Sequence, residues 1–178
     1  MAIPIDLIFQ YIQSMEEYNK EKEFLNDEIT KGVQDANFEI INKLTKDEVN
    51  GISKRFSASG RPIIFDSLSA FNSFEVLKKL IELGADVNAE DSGFPKRSVL
   101  FHAVKCGSSI QLIKILVESG ANINYQIENM DGDYPRSILG VALFYQRYQV
   151  VEYLKSEGAI FIPNEELVIT NYLEHTIG

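Results

Sequence analysis

Val76-Leu-Lys-Lys-Leu-Ile-Glu-Leu-Gly-Ala-Asp-Val-Asn88 is the stretch that decides the fold, because the sequence repeats it. A second copy is Leu112-Ile-Lys-Ile-Leu-Val-Glu-Ser-Gly-Ala-Asn-Ile-Asn124, and a third is Val150-Val-Glu-Tyr-Leu-Lys-Ser-Glu-Gly-Ala159. Each copy is an apolar helix face closed by Gly-Ala, and glycine is the residue that adopts the left-handed conformation just after a helix. A unit of this length cannot bury its apolar face alone, so the sequence predicts equivalent helices that stack on one another.

The composition agrees with one soluble domain in a reducing compartment. The chain has 178 residues, 45% of them hydrophobic, which is enough for a continuous core. Acidic residues outnumber basic ones by 26 to 17, and the net charge of −9 disfavours nonspecific binding to nucleic acid or to an anionic membrane. The single cysteine, Cys106, excludes an internal disulfide. We expect no secretory signal, because no basic residue precedes Lys20. No apolar run reaches the roughly 20 residues of a membrane helix, so we expect a cytoplasmic protein.

The sequence at each terminus predicts a helix that covers one end of the stack. Apolar residues follow Pro4 at spacings of three and four, which is typical of an amphipathic helix over about residues 4–22. We interpret residues 1–26 as an N-terminal capping helix, because a repeat stack needs polar outer faces. A coiled-coil partner helix is the alternative. Asn164 can cap a final helix, and we interpret residues 163–178 as a C-terminal capping helix.

A degenerate copy of the unit is predicted over residues 27–60. The segment 36–44 has the register of 73–80, and Asn50 stands where the next copy has Asn88. The terminal Gly-Ala is missing, so the second helix of this copy should be short. The spacing of Thr45-Lys-Asp-Glu48 is also that of a capping box, which could start a separate helix here. We favour the degenerate repeat.

The three better copies each open on an arginine, namely Arg61, Arg97 or Arg136. Each then has a short first helix, a polar break and the second helix. We place these units at residues 61–96, 97–135 and 136–162. One equivalent position of the first helix carries a small side chain, where neighbouring first helices have to approach closely: Ser67, Ala103 and Ala142.

The chain resembles an ankyrin-repeat protein. That family's unit has a Thr-Pro-Leu-His-x-Ala opening, an apolar second helix and a Gly-Ala-Asp-Val-Asn ending, and Ser73-Phe-Glu-Val-Leu-Lys-Lys-Leu-Ile-Glu-Leu-Gly-Ala-Asp-Val-Asn88 matches its second half closely. The openings before Ala103 and Ala142 depart from the pattern, because they lack the proline. The resemblance covers about residues 27–162. It implies an all-α solenoid of stacked antiparallel helix pairs with projecting loops, and a non-catalytic protein that binds other proteins.

Two loops are longer than a unit of roughly 33 residues needs, and extra residues in a repeat protein often form the binding face. The loops span residues 86–97 and 122–136, and each has acidic residues, a glycine, an aromatic-proline pair and a closing arginine. Carboxylates provide charge complementarity, and aromatic rings provide contact area at low entropy cost. The candidate protein-binding residues here are Glu90, Asp91, Phe94, Tyr125, Glu128, Asp131, Asp133 and Tyr134. Alternatively, Phe94 and Tyr134 fold back onto the neighbouring loop and staple the stack.

The first helices provide a second candidate surface. Their register predicts an outward face made of Asp66, Ser69, Ala70, His102, Lys105, Cys106, Val141, Phe144 and Tyr145. We include His102, Phe144 and Tyr145 among the candidate protein-binding residues, because an exposed aromatic pair is unusual on a monomer. Packing of this aromatic pair under the final helix is the alternative.

The sequence offers little for catalysis. His102 and Cys106 form the only pair with metal-ligand spacing, and no third ligand of fixed register accompanies them. The run Asp131-Gly-Asp133 is too short for a calcium loop. No glycine-rich phosphate loop or nucleophile elbow is present. We therefore expect no catalytic residue, no cofactor and no bound metal.

These observations favour a monomer that binds another protein. No basic residue lies between Lys114 and Arg136 or after Lys155, and this concentration of negative charge suits a basic partner. The small size and the acidity suggest an inhibitor, such as an ankyrin-type immunity protein that neutralises a toxin. The alternatives are a scaffold or translocated effector that holds a partner without inhibiting it and, more remotely, a metal-dependent enzyme built on His102 and Cys106. We expect binding to neither nucleic acid nor membranes.

Overall fold

The computed structural model describes residues 13–17, 20, 27–53, 60–128 and 135–177, and only the backbone of residues 52, 53, 172 and 175–177. Residues 13–17 and 20 are helical and belong to the predicted N-terminal helix, of which the remainder lies outside the described residues. None of the described helices is long and apolar enough to cross a membrane.

The described chain is a stack of helix pairs. Its helices are α1 (residues 27–34), α2 (Phe38–Ile41), α3 (Lys46–Val49), α4 (Ile64–Ser67), α5 (Ser73–Glu82), α6 (Val99–Lys105), α7 (Ile110–Glu118), α8 (Ile138–Phe144), α9 (Tyr148–Ser156) and α10 (Glu165–Ile177). A hairpin of β1 (Ile52–Ser53) and β2 (Arg61–Pro62) precedes α4. Within each unit α4 packs on α5, α6 on α7 and α8 on α9, while α6 packs on α4 and α8 and α7 on α5 and α9. The first helices therefore form one row and the second helices another.

Left-handed residues end the helices at equivalent places. The turn between the first and second helix of each unit contains one residue with positive φ: Ala36, Asn72, Gly107 or Gln146. After the second helices, Gly84, Gly120 and Gly158 have φ angles of 94°, 92° and 91°, so the predicted helix ends are confirmed. A Cβ at Gly120 or Gly158 would meet no atom within 4 Å. The backbone conformation, and not a lack of space, therefore requires glycine there.

Small side chains allow the first helices to approach one another. Ser67, Ala103 and Ala142 are all fully buried in the row of α4, α6 and α8, as the sequence predicts. A larger side chain in such a close-packed position would strain its neighbours. In the second row, Leu77 and Leu116 are also fully buried.

The capping-box alternative for the first unit is confirmed. The Thr45 hydroxyl accepts the Glu48 N–H at 3.3 Å, and Glu48 Oε2 accepts the Thr45 N–H at 2.7 Å. The Thr45 N–H is the largest cause that lowers the pKa of Glu48, followed by the Thr45 hydroxyl, which donates to Glu48 Oε2 at 2.7 Å. The box starts α3, so two short helices, α2 and α3, stand where the next unit has the continuous α5.

Three asparagines link each unit to the next. Asn50, Asn88 and Asn124 each accept a backbone N–H of the following unit at 2.8–2.9 Å. The donors are, respectively, Asp86, Asn122 and Ile160. The first two asparagines also donate to the carbonyl of the next terminating glycine at 3.0 Å. Asn50 thus has the same role as Asn88, as their shared register predicts.

A carboxylate of α10 closes the last unit. Glu165 Oε1 accepts the N–H groups of Arg136 and Ser137 at 2.7 and 2.9 Å. Its Oε2 accepts the Ile162 N–H at 3.2 Å and also the Ser137 hydroxyl. Gly140 makes room for this approach, since a Cβ there would lie 2.5 Å from Glu165 Cδ.

The predicted outward face of the first helices is wrong at Asp66 and Val141, which are fully buried. Asp66 Oδ1 lies 2.9 Å from an Arg61 guanidinium nitrogen and accepts a hydrogen bond from Gln34 Nε2 at 3.4 Å. Arg61 and Gln34 thus enclose Asp66, and Val141 lies on α8, which packs on α6, α9 and α10. The rest of the predicted face is at least partly accessible: Ser69, Ala70, His102, Lys105, Cys106, Phe144 and Tyr145.

Candidate functional site

Two projecting loops carry most of the candidate residues. We name residues 88–98 the central finger and residues 124–137 the distal finger. A β-bridge closes each finger at its base, between Glu90 and Ser98 in the first and between Gln126 and Ser137 in the second. Both serines also accept a backbone N–H at the start of the helix that follows, so the fingers are fixed directly to α6 and α8. Part of the distal finger lies outside the described residues, and with it the candidates Asp131, Asp133 and Tyr134.

A groove with a volume of about 670 Å³ lies between the two fingers. Glu90, Phe94 and Lys96 line it from the central finger, and Tyr125 and Glu128 line it from the distal finger. The structure therefore brings four predicted site residues, Glu90, Phe94, Tyr125 and Glu128, around one cavity.

Tyr125 ties the two fingers together. Its hydroxyl donates to the Lys96 carbonyl at 3.0 Å, and its ring packs edge-on against Phe101, with 6.4 Å between the ring centres. Burial is the largest cause that raises the pKa of Tyr125, followed by its hydrogen bond with Glu90 and the negative charges of Glu90, Asp91 and Glu128. The groove therefore has a negative potential near this hydroxyl.

The three acidic candidates of the described fingers differ in their surroundings. Glu90 and Glu128 are exposed, and the Glu90 carboxylate lies 3.8 Å from the Lys96 ammonium. Asp91 is partly buried, and its Oδ1 accepts the N–H groups of Gly93 and Arg97 at 3.2 and 3.0 Å. Asp91 shapes its own finger, whereas Glu90 and Glu128 line the groove with exposed side chains.

Phe94 projects from the central finger with 86% of its surface exposed. The alternative in which its ring folds back and staples the stack is therefore wrong. An exposed ring gains favourable free energy only when another surface covers it. Phe94 is thus available as an anchor.

The sequence matches the family model described as ankyrin repeats (3 copies) over residues 33–164, a range that contains both fingers. The chain belongs to the ankyrin-repeat family. Ankyrin repeats indicate a protein–protein interaction module of a typically non-enzymatic family. Comparison with curated proteins finds no match.

His102 lies on the first-helix row of the ankyrin stack, outside the residues that line the groove. Its ring packs edge-on against Phe65, with 5.5 Å between the ring centres, and its Nε2 lies 3.4 Å from Cys106 Sγ. Burial, and to a lesser extent the charge of Arg61, lowers the pKa of His102 to about 4, so the ring is neutral at pH 7. Among the described residues, no three histidine, cysteine or acidic side chains are placed to hold a metal ion.

Phe144 and Tyr145 form an edge-to-face pair at the end of α8, with 5.4 Å between the ring centres. Phe144 is partly buried, and Tyr145 is 42% exposed. Phe71 is 73% exposed. It directly precedes the left-handed Asn72, as Tyr145 directly precedes the left-handed Gln146. The sequence interpretation missed Phe71, although aromatic residues beside a polar break are a detectable signal.

Lys96 and the asparagines at the base of the groove were also missed. Lys96 lines the cavity beside Glu90, and Asn122 and Asn124 line it from below. The asparagines are visible in the sequence as part of the repeated ending. No sequence pattern marks Lys96, because its position depends on how the finger folds.

Proposed function

We propose that this ankyrin-repeat protein binds a basic partner protein through the groove between its fingers and inhibits that partner, as an immunity protein neutralises a toxin. The observation that carries this proposal is the presence of exposed Phe94 and of two exposed carboxylates, Glu90 and Glu128, around one groove. Apolar anchor and negative charge are then offered to the same region of a partner.

Charge supports the choice of a basic partner. The chain has a net charge of −9, and Glu90 and Glu128 are exposed where the two fingers border the groove. Such a field raises the rate at which a basic protein reaches the groove and disfavours acidic competitors. Its effect should weaken as salt screens it over about 8–10 Å near physiological ionic strength.

Phe94 supports a lasting complex. Complete burial of an exposed phenylalanine contributes about 1.5–3 kcal/mol, and aromatic anchors near the centre of an interface often dominate its affinity. We expect Phe94 to govern dissociation, whereas the carboxylates govern association.

The proposal also states that binding inhibits the partner. The way in which the two fingers are fixed in place supports this. Ser98 and Ser137 fix the fingers to helices, and Tyr125 ties one finger to the other. A preorganised surface spends little free energy on ordering when it binds. A stable complex that covers the surface of its partner suits a blocking role better than a transient contact.

The test is affinity capture from the native organism followed by an activity assay of the captured protein. Wild-type bait is compared with the double variant Glu90→Lys/Glu128→Lys and with the control Glu118→Lys/Glu152→Lys. Both variants change the charge equally, but the control residues are exposed on the second helices. We expect a basic protein on the wild-type and control baits that is missing from the groove variant.

The purified partner should then lose its activity when it is mixed with an equal amount of the wild-type protein. A partner that the groove variant retains would refute the proposed surface. A partner that binds through the groove and stays fully active would instead establish a scaffold.

A further inference from the structure

We propose that the groove receives an arginine side chain of the partner, with the guanidinium held by the carboxylates of Glu90 and Glu128 and stacked on the ring of Phe94. This inference rests on the proposed function and specifies the chemistry that the same site recognises. Three features of the groove support it: its charge, the hydrogen bonds that its polar groups already make, and the position of its aromatic rings.

The described lining of the groove has one uncompensated negative charge. Glu90 and Glu128 contribute two carboxylates, and Lys96 contributes the one cation among the described lining residues. The ammonium of Lys96 lies 3.8 Å from Glu90 Oε2, and both side chains are exposed. Within the described part of the chain, Glu128 is in no ion pair. A long, exposed ion pair is weak, so a cation that contacts both carboxylates can displace Lys96.

Other polar groups at the base of the groove are already engaged. Asn122 Oδ1 accepts the Asn124 N–H at 3.0 Å, and Asn124 Oδ1 accepts the Ile160 N–H at 2.9 Å. The Tyr125 hydroxyl donates to the Lys96 carbonyl at 3.0 Å. The charged acceptors that a ligand meets among the described lining residues are the Glu90 and Glu128 carboxylates, which favours a ligand group that is both a cation and a donor.

The rings favour arginine over lysine. Phe94 offers an exposed face on the central finger, and Tyr125 forms part of the opposite side. A planar guanidinium can stack on a ring while it donates two parallel hydrogen bonds to a carboxylate, and a compact, strongly hydrated ammonium does this less well. A cavity of about 670 Å³ also has room for residues beside the arginine, as a protein segment requires.

The test titrates three capped hexapeptides, of arginine, lysine and citrulline, into the ¹⁵N-labelled full-length protein. Backbone amide shifts locate the binding, and their concentration dependence gives the dissociation constant. We expect the arginine peptide to saturate and to shift the signals of both fingers. It should bind about two- to fivefold more tightly than the lysine peptide, and the uncharged citrulline peptide should not bind.

Single substitutions separate stacking from charge. Phe94→Ala should weaken binding of the arginine peptide by about two- to fivefold and remove its advantage over lysine. Glu128→Gln should weaken both cationic peptides, and Lys96→Ala should strengthen binding of the arginine peptide. The control Glu152→Gln, on the exposed face of α9, should change neither affinity.

Three results would overturn the arginine assignment: equal affinity for arginine and lysine peptides, no effect of Phe94→Ala, or shifts confined to residues outside the fingers. Failure to saturate would overturn it as well. These results leave the proposed function standing, because that function is decided by whether the charge-reversed groove loses its protein partner.

Discussion

The helix stack and the two fingers are held by different kinds of contact. In the stack, equivalent side chains such as Ser67 and Ala103 are fully buried, and asparagines such as Asn88 link each unit to the next. In the fingers, a bridge closes each loop, and side chains such as Phe94 and Glu128 face solvent. The repeated part of the sequence thus supplies the fold, and the residues added between the copies supply the candidate site. Substitutions should separate stability from binding along this division.

The largest loss of stability should follow a substitution in the middle of the stack. Leu116 is fully buried in α7, which packs on both α5 and α9. Leu116→Ala should reduce the free energy of unfolding by about 2–5 kcal/mol, because it leaves a cavity that neighbouring helices fill only in part. Denaturant unfolding followed by circular dichroism measures the change. A loss below about 0.5 kcal/mol would be typical of a surface position and would contradict the packing described.

The next largest loss should come from the carboxylate that closes the stack. Glu165→Ala leaves the N–H groups of Arg136 and Ser137 without their acceptor, which should cost about 1.5–3 kcal/mol. The control is Glu166→Ala, which breaks only an exposed ion pair with Lys155 and should cost less than about 1 kcal/mol. Equal losses in the same unfolding measurement would show that α10 is not anchored through Glu165.

Loss of one link between units should have a smaller effect. Asn88→Ala removes the bonds to the Asn122 N–H and the Gly120 carbonyl, and we expect a loss of about 1–2 kcal/mol. Hydrogen exchange at the Asn122 amide should accelerate. Asn88→Asp keeps the acceptor and should slow this exchange again, and an unchanged exchange rate in Asn88→Ala would contradict the link.

The smallest effect on stability should come from the most exposed ring. Phe94→Ala should change the free energy of unfolding by no more than about 0.5 kcal/mol, because the side chain is 86% exposed. Its complex with the partner should dissociate about tenfold faster or more, as expected for an aromatic anchor. A lower melting temperature with an unchanged dissociation rate would instead show that Phe94 stabilises the stack.

Much of the stack could be predicted because its signals lie close together in the sequence. The Gly-Ala endings predicted the left-handed glycines, and the small residues of the first helices predicted their close approach. The burial of Asp66 could not be predicted in this way, since Gln34, which bonds to it, is 32 residues away. The same holds for Glu165, whose fit depends on the missing side chain of Gly140.

The candidate site was predictable in part. Loop length indicated the two fingers, and their composition indicated Glu90, Phe94 and Glu128. The tie that Tyr125 makes to the Lys96 carbonyl depends on how two separate loops fold against each other. Asp91 looks like Glu90 in the sequence, but the folded finger uses its carboxylate for bonds to its own backbone.

The most direct test of the division between stack and fingers is the rate of association with the captured partner as a function of salt. Glu90→Lys/Glu128→Lys should associate severalfold more slowly than the wild type and should show a flatter salt dependence, because the acidic groove steers the encounter. Glu118→Lys/Glu152→Lys, which makes the same change of charge on the stack, should show a much smaller change in both. Equal slowing by the two variants would mean that only net charge matters. An unchanged rate in the groove variant would contradict the assignment of the fingers as the contact surface.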